Sequence, residues 1–310
     1  MNQTALVIIK SMGIGDLVIL SANIHAISKS INNKVVVLAQ KNTRAVEILK
    51  YDPHVSEVID LDKKGFLNII KKIRKKKFDQ SYIYSDSLRL YLISKLSSIK
   101  ESFQYKLFSK KGKNFFKSAK EFTEKSLRTK INHESKIFWN TNEVENAKKK
   151  FYITNKTKNI VCWISASGPT KRWDIKNYIN LFENINNKFP CKFFIAAGPK
   201  DHDLVKEIMN SSLKDKCISF SGMTIAEAIP VISACQNYIG NDTGWAHISA
   251  ALNLKSLYLF CDSPSEAYGK WRSNIKLIIP KGHAICEHNT KGKDKISFEE
   301  VLSKSLELIN

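Results

Sequence analysis

The chain has no apolar run approaching the roughly 18 residues that a membrane-spanning helix requires, and it has no cysteine before Cys162. No two of its six thiols, at 162, 191, 217, 235, 261 and 286, form a Cys-x-x-Cys pair. They read as buried free cysteines of a reducing compartment, not as a disulfide framework. The one local grouping, His283, Cys286 and His288, lacks a fourth ligand and a second motif, so no metal centre is expected. The opening Ala5–Ile9 run is short and no small-residue cleavage site follows it. It reads as a buried strand, not a signal peptide. Helix-turn-helix, zinc-finger and RNA-binding signatures are missing, as is any short internal repeat. These absences leave a soluble, cytoplasmic globular protein that can still sit on a membrane surface.

Acidic residues are also scarce. The formal net charge is +21, from 50 Lys and Arg against 29 Asp and Glu in 310 residues. The excess is uneven: residues 1–150 hold 30 basic and 14 acidic side chains, and residues 151–310 hold 20 and 15. Between Lys63 and Lys130 there are 20 basic residues and 5 acidic ones. A field of one sign on one half favours an anionic partner: nucleic acid, an anionic lipid surface or an acidic glycan. A Lys-rich background composition accounts for part of it.

Both halves alternate strand-like apolar runs with helical periodicity, the pattern of parallel sheets covered on both faces. In the first half, strands are predicted at Ala5–Ile9, Val35–Leu38, Glu57–Asp60 and Gln80–Tyr84. Helices are predicted at Asp16–Ser30, Thr43–Lys50, Phe66–Lys76 and Leu88–Leu96. Lys100–Lys136 is basic, aromatic and poorly patterned, with helical pieces and loops expected. A polar break falls at Lys148–Lys158. Beyond it, strands are predicted at Asn159–Ile164, Lys192–Ala196, Cys217–Phe220, Asn237–Ile239 and Ser256–Phe260, and a last helix near Ser297–Ile309. The fold class is therefore α/β, two Rossmann-like lobes facing across a cleft. Ligands of such sheets bind at the carboxyl ends of the strands, which directs attention to the loops there.

The first such loop, Ser11-Met12-Gly13-Ile14-Gly15-Asp16, has two glycines that let the backbone turn sharply. It stops short of a dinucleotide fingerprint because position 18 is Val. Asp16 either caps the following helix or serves as a general base. The loop from Ser165 to Trp173 gathers hydroxyls, Gly168, Lys171 and Arg172, a set suited to phosphate. In the loop from Ile239 to His247, Thr243 and Gly244 place backbone N–H groups at a helix N-terminus, a ready anion site. His247 either faces that site or packs inside. Gly198-Pro199-Lys200-Asp201 and Ser221-Gly222-Met223-Thr224 border the same sheet end. Thr224 and Glu227 have capping-box spacing.

Taken together these loops resemble the bacterial heptosyltransferases, the transferase family that moves heptose from ADP-heptose to the inner core of lipopolysaccharide. The resemblance rests on Gly15-Asp16-Leu17-Val18, Lys171-Arg172-Trp173, Met223-Thr224 and, above all, Gly240-Asn241-Asp242-Thr243-Gly244-Trp245-Ala246-His247. It implies a GT-B fold, with an acceptor-binding lobe at 1–150 and a nucleotide-sugar-binding lobe at 151–310. The last helix is allowed to pack back on the first lobe. It further implies an inverting reaction with no cofactor and no required metal. By motif, Asp16 becomes the catalytic base, with Gly13 and Gly15 shaping its loop. Ser167 and Lys171 contact the donor phosphates; Asp242, Thr243, Gly244 and His247 line the diphosphate and sugar; Met223 meets the adenine. Asp201 is assigned to the ribose, although the stretch after Gly198 departs from the family pattern. Ala166 stands where another hydroxyl is common. The implied partners are ADP-heptose, an anionic glycolipid acceptor and an anionic membrane surface, with no nucleic acid. A GT-B transferase using another nucleotide sugar for a capsule or other surface glycan fits the same loops. A basic nucleic-acid-binding protein, the remaining alternative, leaves the strand-end loops unexplained.

Overall fold

The computed structural model describes residues 3–10, 13–61, 65–105, 114–132, 134–198 and 201–310. They form two compact units, 1–138 and 139–310, each built on an all-parallel sheet.

The first unit has five strands: β1 (Ala5–Ile9), β2 (Val35–Ala39), β3 (Val55–Asp60), β4 (Gln80–Tyr84) and β5 (Glu101–Gln104), in the order β3-β2-β1-β4-β5. β1 and β2 are uninterrupted apolar runs because both faces of a central parallel strand are covered. Helix α1 (Ile14–Ser30) is buried from Leu17 to Ser28 and packs beside α5 (Phe115–Leu127). Thr123 Oγ1 donates to Asn23 Oδ1 at 2.9 Å, and Ser135 Oγ to the Ile19 carbonyl at 2.7 Å, fastening α5 and the segment after it to α1. Between β2 and β3 lies the short α2 (Ala45–Ile48). Another face of the sheet is closed by α3 (Phe66–Lys76) and α4 (Leu88–Leu96) around Leu6, Ile8, Ile69, Ile73, Leu90 and Ile93.

The second unit begins earlier than the expected break near residue 150. Its first element is α6 (Thr141–Phe151), which packs against α9 (Ile225–Ser233). Lys192 Nζ donates to the carbonyls of Phe151 and Tyr152 at 2.9 and 2.8 Å, satisfying the end of α6 from within the same unit. Six strands follow: β6 (Lys158–Trp163), β7 (Cys191–Ala196), β8 (Cys217–Ser219), β9 (Asn237–Asn241), β10 (Lys255–Leu259) and β11 (Ile275–Ile278). Their order is β11-β10-β9-β6-β7-β8, which read from β8 is the doubly wound dinucleotide-fold order. The remaining helices are α7 (Ile175–Asn186), α8 (His202–Met209), α10 (Gly244–Ala251), α11 (Ser265–Tyr268) and α12 (Phe298–Ile309).

The last helix packs on α7, β9 and β10 of its own unit, where a return to the first lobe had been allowed for. Lys158 Nζ and Asn237 Nδ2 donate to its terminal carbonyls, of Ile309 at 2.8 Å and Leu308 at 3.1 Å. A cation at a helix C-terminus also meets its dipole favourably. The six cysteines are free and buried as expected; burial pushes the Cys191 thiol up to about 11 and the Cys217 thiol up to about 12. Among the described residues no helix is long and apolar enough to cross a membrane, and no group of three His, Cys, Asp or Glu is placed to share a metal ion.

Candidate active site

The order of the second sheet puts its topological switch between β6 and β9, where crossovers leave in opposite directions and the loops part to admit a ligand. The residues around that switch are cross-tied. Ser165, 1% exposed, accepts the Gly198 N–H on its Oγ at 2.8 Å, linking the loops after β6 and β7. Asn241, fully buried, donates to the Ser165 carbonyl at 3.2 Å and accepts the Trp173 N–H at 3.1 Å, linking the loops after β6 and β9. Gly240 makes this closeness possible: a Cβ there would lie 2.6 Å from the Trp163 carbonyl oxygen and 2.9 Å from its nitrogen.

In the loop after β6, Pro169–Lys171 forms one 3-10 turn. Thr170 Oγ1 donates to Asp262 Oδ2 at 2.6 Å, and Lys291 N–H donates to Asp262 Oδ1 at 2.8 Å. Desolvation works to raise the Asp262 pKa, but these two donors and the nearby Lys171 charge outweigh it and hold the carboxyl below its usual range. Ser167 is exposed and Lys171 partly so. The Lys171 ammonium has no hydrogen-bond or ion-pair partner among the described residues, which leaves it available to an anion.

In the loop after β9, Thr243 is the N-cap of α10 and makes no side-chain cap bond. The first N–H groups of a helix have no partner within it, so Gly244 and Trp245 present theirs at the positive end of the helix dipole. Asp242 sits behind this turn. Its Oδ2 accepts the Ser263 hydroxyl at 2.7 Å, and its Oδ1 lies 3.4 Å from His247 Nε2. His247 is 4% exposed and packs inside; its Nδ1 accepts the Trp271 indole N–H at 3.1 Å. Indole only donates, so Nδ1 is bare and the ring proton is on Nε2; Asp242 Oδ1, though near, has no hydrogen-bond partner among the described residues. Two buried tyrosines brace the loop: Tyr258 OH donates to the Ala246 carbonyl at 2.7 Å and Tyr238 OH to the Asn241 carbonyl at 2.9 Å. Trp163 and Trp245 stack at 5.0 Å beside it.

Two further positions flank the switch. Asp201 is paired with Arg172, Nη1 to Oδ1 at 2.5 Å, which joins the starts of α7 and α8; Pro199 and Lys200 before it lie outside the described residues. Met223 closes a turn, its N–H donating to the Phe220 carbonyl at 3.0 Å, with Gly222 at φ +84° as the turn requires. Thr224 and Glu227 form the capping box that their spacing predicts.

In the first unit, Gly13 is the N-cap of α1 and Gly15 lies in its first turn. Asp16 Oδ2 accepts the Gly13 N–H at 2.8 Å, so the helix-capping role is realised. Ser11 and Met12 lie outside the described residues. The sheet order places its own switch between β1 and β4, where Lys10 Nζ donates to Ser87 Oγ at 3.0 Å.

The structure thus gathers Ser167, Lys171, Asp242, Thr243 and Gly244 at the carboxyl end of one sheet, with Asp201 reaching it through Arg172. His247 joins from beneath, through Asp242. Asp262, Ser263 and Trp271 belong to the same constellation and were not singled out from the sequence. The first two follow β10 directly, so the rule that directed attention to strand ends applied to them as well. No signal marked Trp271.

A family model described as glycosyltransferase family 9 (heptosyltransferase) matches residues 66–297. Lipopolysaccharide heptosyltransferase 1 of Campylobacter coli is 29% identical over 154 residues, 48% of this chain and 44% of that protein. The match thus spans less than half the length of that relative. Two solved structures share the fold. Escherichia coli ADP-heptose lps heptosyltransferase II has a TM-score of 0.82 at 18% identity, covering 99% of this chain and 98% of that one. The E. coli heptosyltransferase WaaC with ADP has a TM-score of 0.71 at 13% identity, covering 98% and 100%.

Proposed function

Because the chain belongs to glycosyltransferase family 9, the heptosyltransferases, we propose that it moves a heptose from ADP-heptose to an anionic lipopolysaccharide inner-core acceptor, with inversion and without a metal, at the inner face of the cytoplasmic membrane. One observation carries the donor half of this reading: an unpaired Lys171, the exposed Ser167 and the open N-terminus of α10 end adjacent strands at the switch point of a doubly wound sheet. That arrangement suits a diphosphate. Relatives whose structures carry ADP in the same fold support the choice of nucleotide.

In the proposed reaction an acceptor hydroxyl attacks the anomeric carbon from the face opposite the nucleotide. The bond from that carbon to the phosphate oxygen breaks, and its electron pair leaves with ADP. Lys171 and the α10 N–H groups stabilise the charge growing on the departing diphosphate. Asp16 accepts the hydroxyl proton; the Gly13 N–H fixes its Oδ2 and orients the carboxylate. Asp242, fixed by Ser263, accepts hydroxyl hydrogens of the sugar. Arg172 and Asp201 flank the ribose, and the Met223 turn flanks the adenine.

Calorimetry with ADP, UDP, GDP and CMP, without metal, tests the reading. Preference for ADP is the expected result. Preference for another nucleotide transfers the same site to a different sugar and a different surface glycan.

A further inference from the structure

Helix α4 carries leucine on two faces. Leu90 and Ile93 are buried against the sheet, while Leu88, Leu92 and Leu96 are 69%, 43% and 48% exposed. Their spacing of four sets them in one line along the helix. A surface helix normally turns polar residues outward; α4 turns this line of leucines outward between Arg89 and Lys95. Leu67 on the neighbouring α3 adds another exposed leucine, at 69%.

The flanks of this line are cationic. At 3.6 residues per turn, Lys95 falls on one side of it and Arg89 on the other. On α3, Lys71, Arg74 and Lys75 follow Leu67 on the same face. Arg74 Nη2 donates to the Leu96 carbonyl at 3.1 Å, which joins the two helices at that end, and Arg89 lies 5.3 Å over the Phe66 ring at the other. Glu57 takes up Lys72 and Lys76. Lys71, Lys75 and Lys95 have no ion-pair partner among the described residues. Neither helix contains an Asp or Glu.

We infer that the α3–α4 face docks on an anionic lipid bilayer, its leucines entering the boundary between headgroups and acyl chains and its lysines and arginines meeting lipid phosphates. Buried apolar area and attraction to anionic lipid together set the strength of such contacts, and long cationic side chains lay their stems on the apolar surface with heads among the phosphates. A second copy of this chain would bring like-charged rims together. Nucleic acid would meet the cations and leave four leucines in water. An anionic bilayer satisfies both sets. The inference deepens the proposed glycolipid-directed function by naming the surface that meets the membrane, and rests on it for purpose alone.

The test is co-sedimentation of the full chain with vesicles of phosphatidylcholine, or of equal parts phosphatidylcholine and phosphatidylglycerol, with no donor or acceptor present. The expected result is binding to the anionic vesicles, weakened about tenfold or more by Leu88→Ser/Leu92→Ser/Leu96→Ser, and likewise by Lys71→Glu/Lys75→Glu. Both variants keep the parent's thermal midpoint because the altered side chains are exposed. Parent-like binding by both variants overturns the inference. So does equal binding to neutral vesicles, or a parent dimer that the leucine variant dissolves while neither binds lipid. Transfer to a water-soluble acceptor is measured beside it. Loss of that activity in the parent sinks the transferase reading and leaves the vesicle result standing.

Discussion

In the second unit, buried polar side chains join one strand-end loop to the next: Ser165 to Gly198, Asn241 to Ser165 and Trp173, Ser263 to Asp242, Trp271 to His247. In the first unit they join helices and strands behind the loops: Tyr84 to Thr123, Thr123 to Asn23, Ser135 to Ile19, His25 to Asp52. The charge follows the same division, with 27 basic against 12 acidic residues in 1–138 and 23 against 17 in 139–310. A site that stabilises developing charge works best when its dipoles are fixed before the ligand arrives, and the second unit's ties fix them around its switch, while the first unit's switch is tied by Lys10 to Ser87. The first unit offers a cationic, leucine-studded exterior and one carboxylate anchored at a helix start. Under the proposed function, binding of the nucleotide and activation of the acceptor are therefore separable by mutation.

The largest separation is expected at Asp16. Asp16→Asn keeps an oxygen to accept the Gly13 N–H, so α1 stays capped, but the side chain can no longer take a proton. Turnover should fall roughly 10²–10⁴-fold, the usual contribution of a general base, with ADP affinity unchanged by calorimetry. Parent-like turnover would remove Asp16 from the chemistry and leave it a cap. The mirror experiment is Lys171→Ala. Loss of one charge-assisted contact, about 1.5–3 kcal/mol, should weaken ADP roughly 10- to 100-fold, and the remaining affinity should depend less on salt. Equal affinity would place the diphosphate elsewhere and break the contrast between the units.

The strands and helices that could be read from sequence were those whose own residues decide them. β1 and β4 match the expected bounds, and α3 and α4 do so as well, because apolar runs and helical periodicity set them locally. β5 (Glu101–Gln104) escaped since an edge strand has one neighbour and tolerates Glu, Ser and Gln; β11 is another edge strand, of four residues. α6 was not foreseen: its last residues, from Lys148, fell in the expected polar break and the rest carries only two buried side chains, Val144 and Ala147; its packing on α9 gives it a place, and moves the unit boundary with it. The site shows the same limit. Ser167, Lys171 and Asp242–Gly244 each lie in a loop that follows a strand and could be found one loop at a time. Trp271 meets His247 across 24 positions of sequence, a contact only the folded chain reveals.

That contact gives a smaller, sharper test. Trp271→Phe keeps the ring and removes the indole N–H, leaving the buried His247 Nδ1 without its donor. The expected loss of stability is about 1–3 kcal/mol, read by denaturant unfolding. Nitrogen NMR of His247 should show a bare Nδ1 in the parent and a mixture of tautomers in the variant. Donor KM should rise more than turnover falls, because the change reaches the sugar only through Asp242. An unaltered His247 spectrum would mean the loop, and not Trp271, fixes the ring.

The smallest effect is expected at the amino end of the first sheet, far along its strands from Asp16. Asp79, just before β4, accepts the Thr4 N–H and hydroxyl on Oδ2, each at 3.0 Å, and the Lys100 ammonium on Oδ1 at 2.6 Å. The Lys100 hydrogen bond foremost, then the two Thr4 donors, hold its carboxyl down to about 2, from the ordinary 3.8. A depressed carboxyl pKa in the folded chain stabilises it above the unfolded value, near 4, and this contribution is lost as pH falls through about 2. Lys100 is largely exposed, so water screens the pair and the contribution is small. Asp79→Asn should therefore be slightly less stable than the parent at neutral pH, and the gap should close towards pH 2. A gap that persists at low pH would assign the effect to the shape of the Thr4 contacts, not to charge. ADP affinity should not change in either case, since the residue ties strands together in the unit to which the proposed function assigns no nucleotide contact.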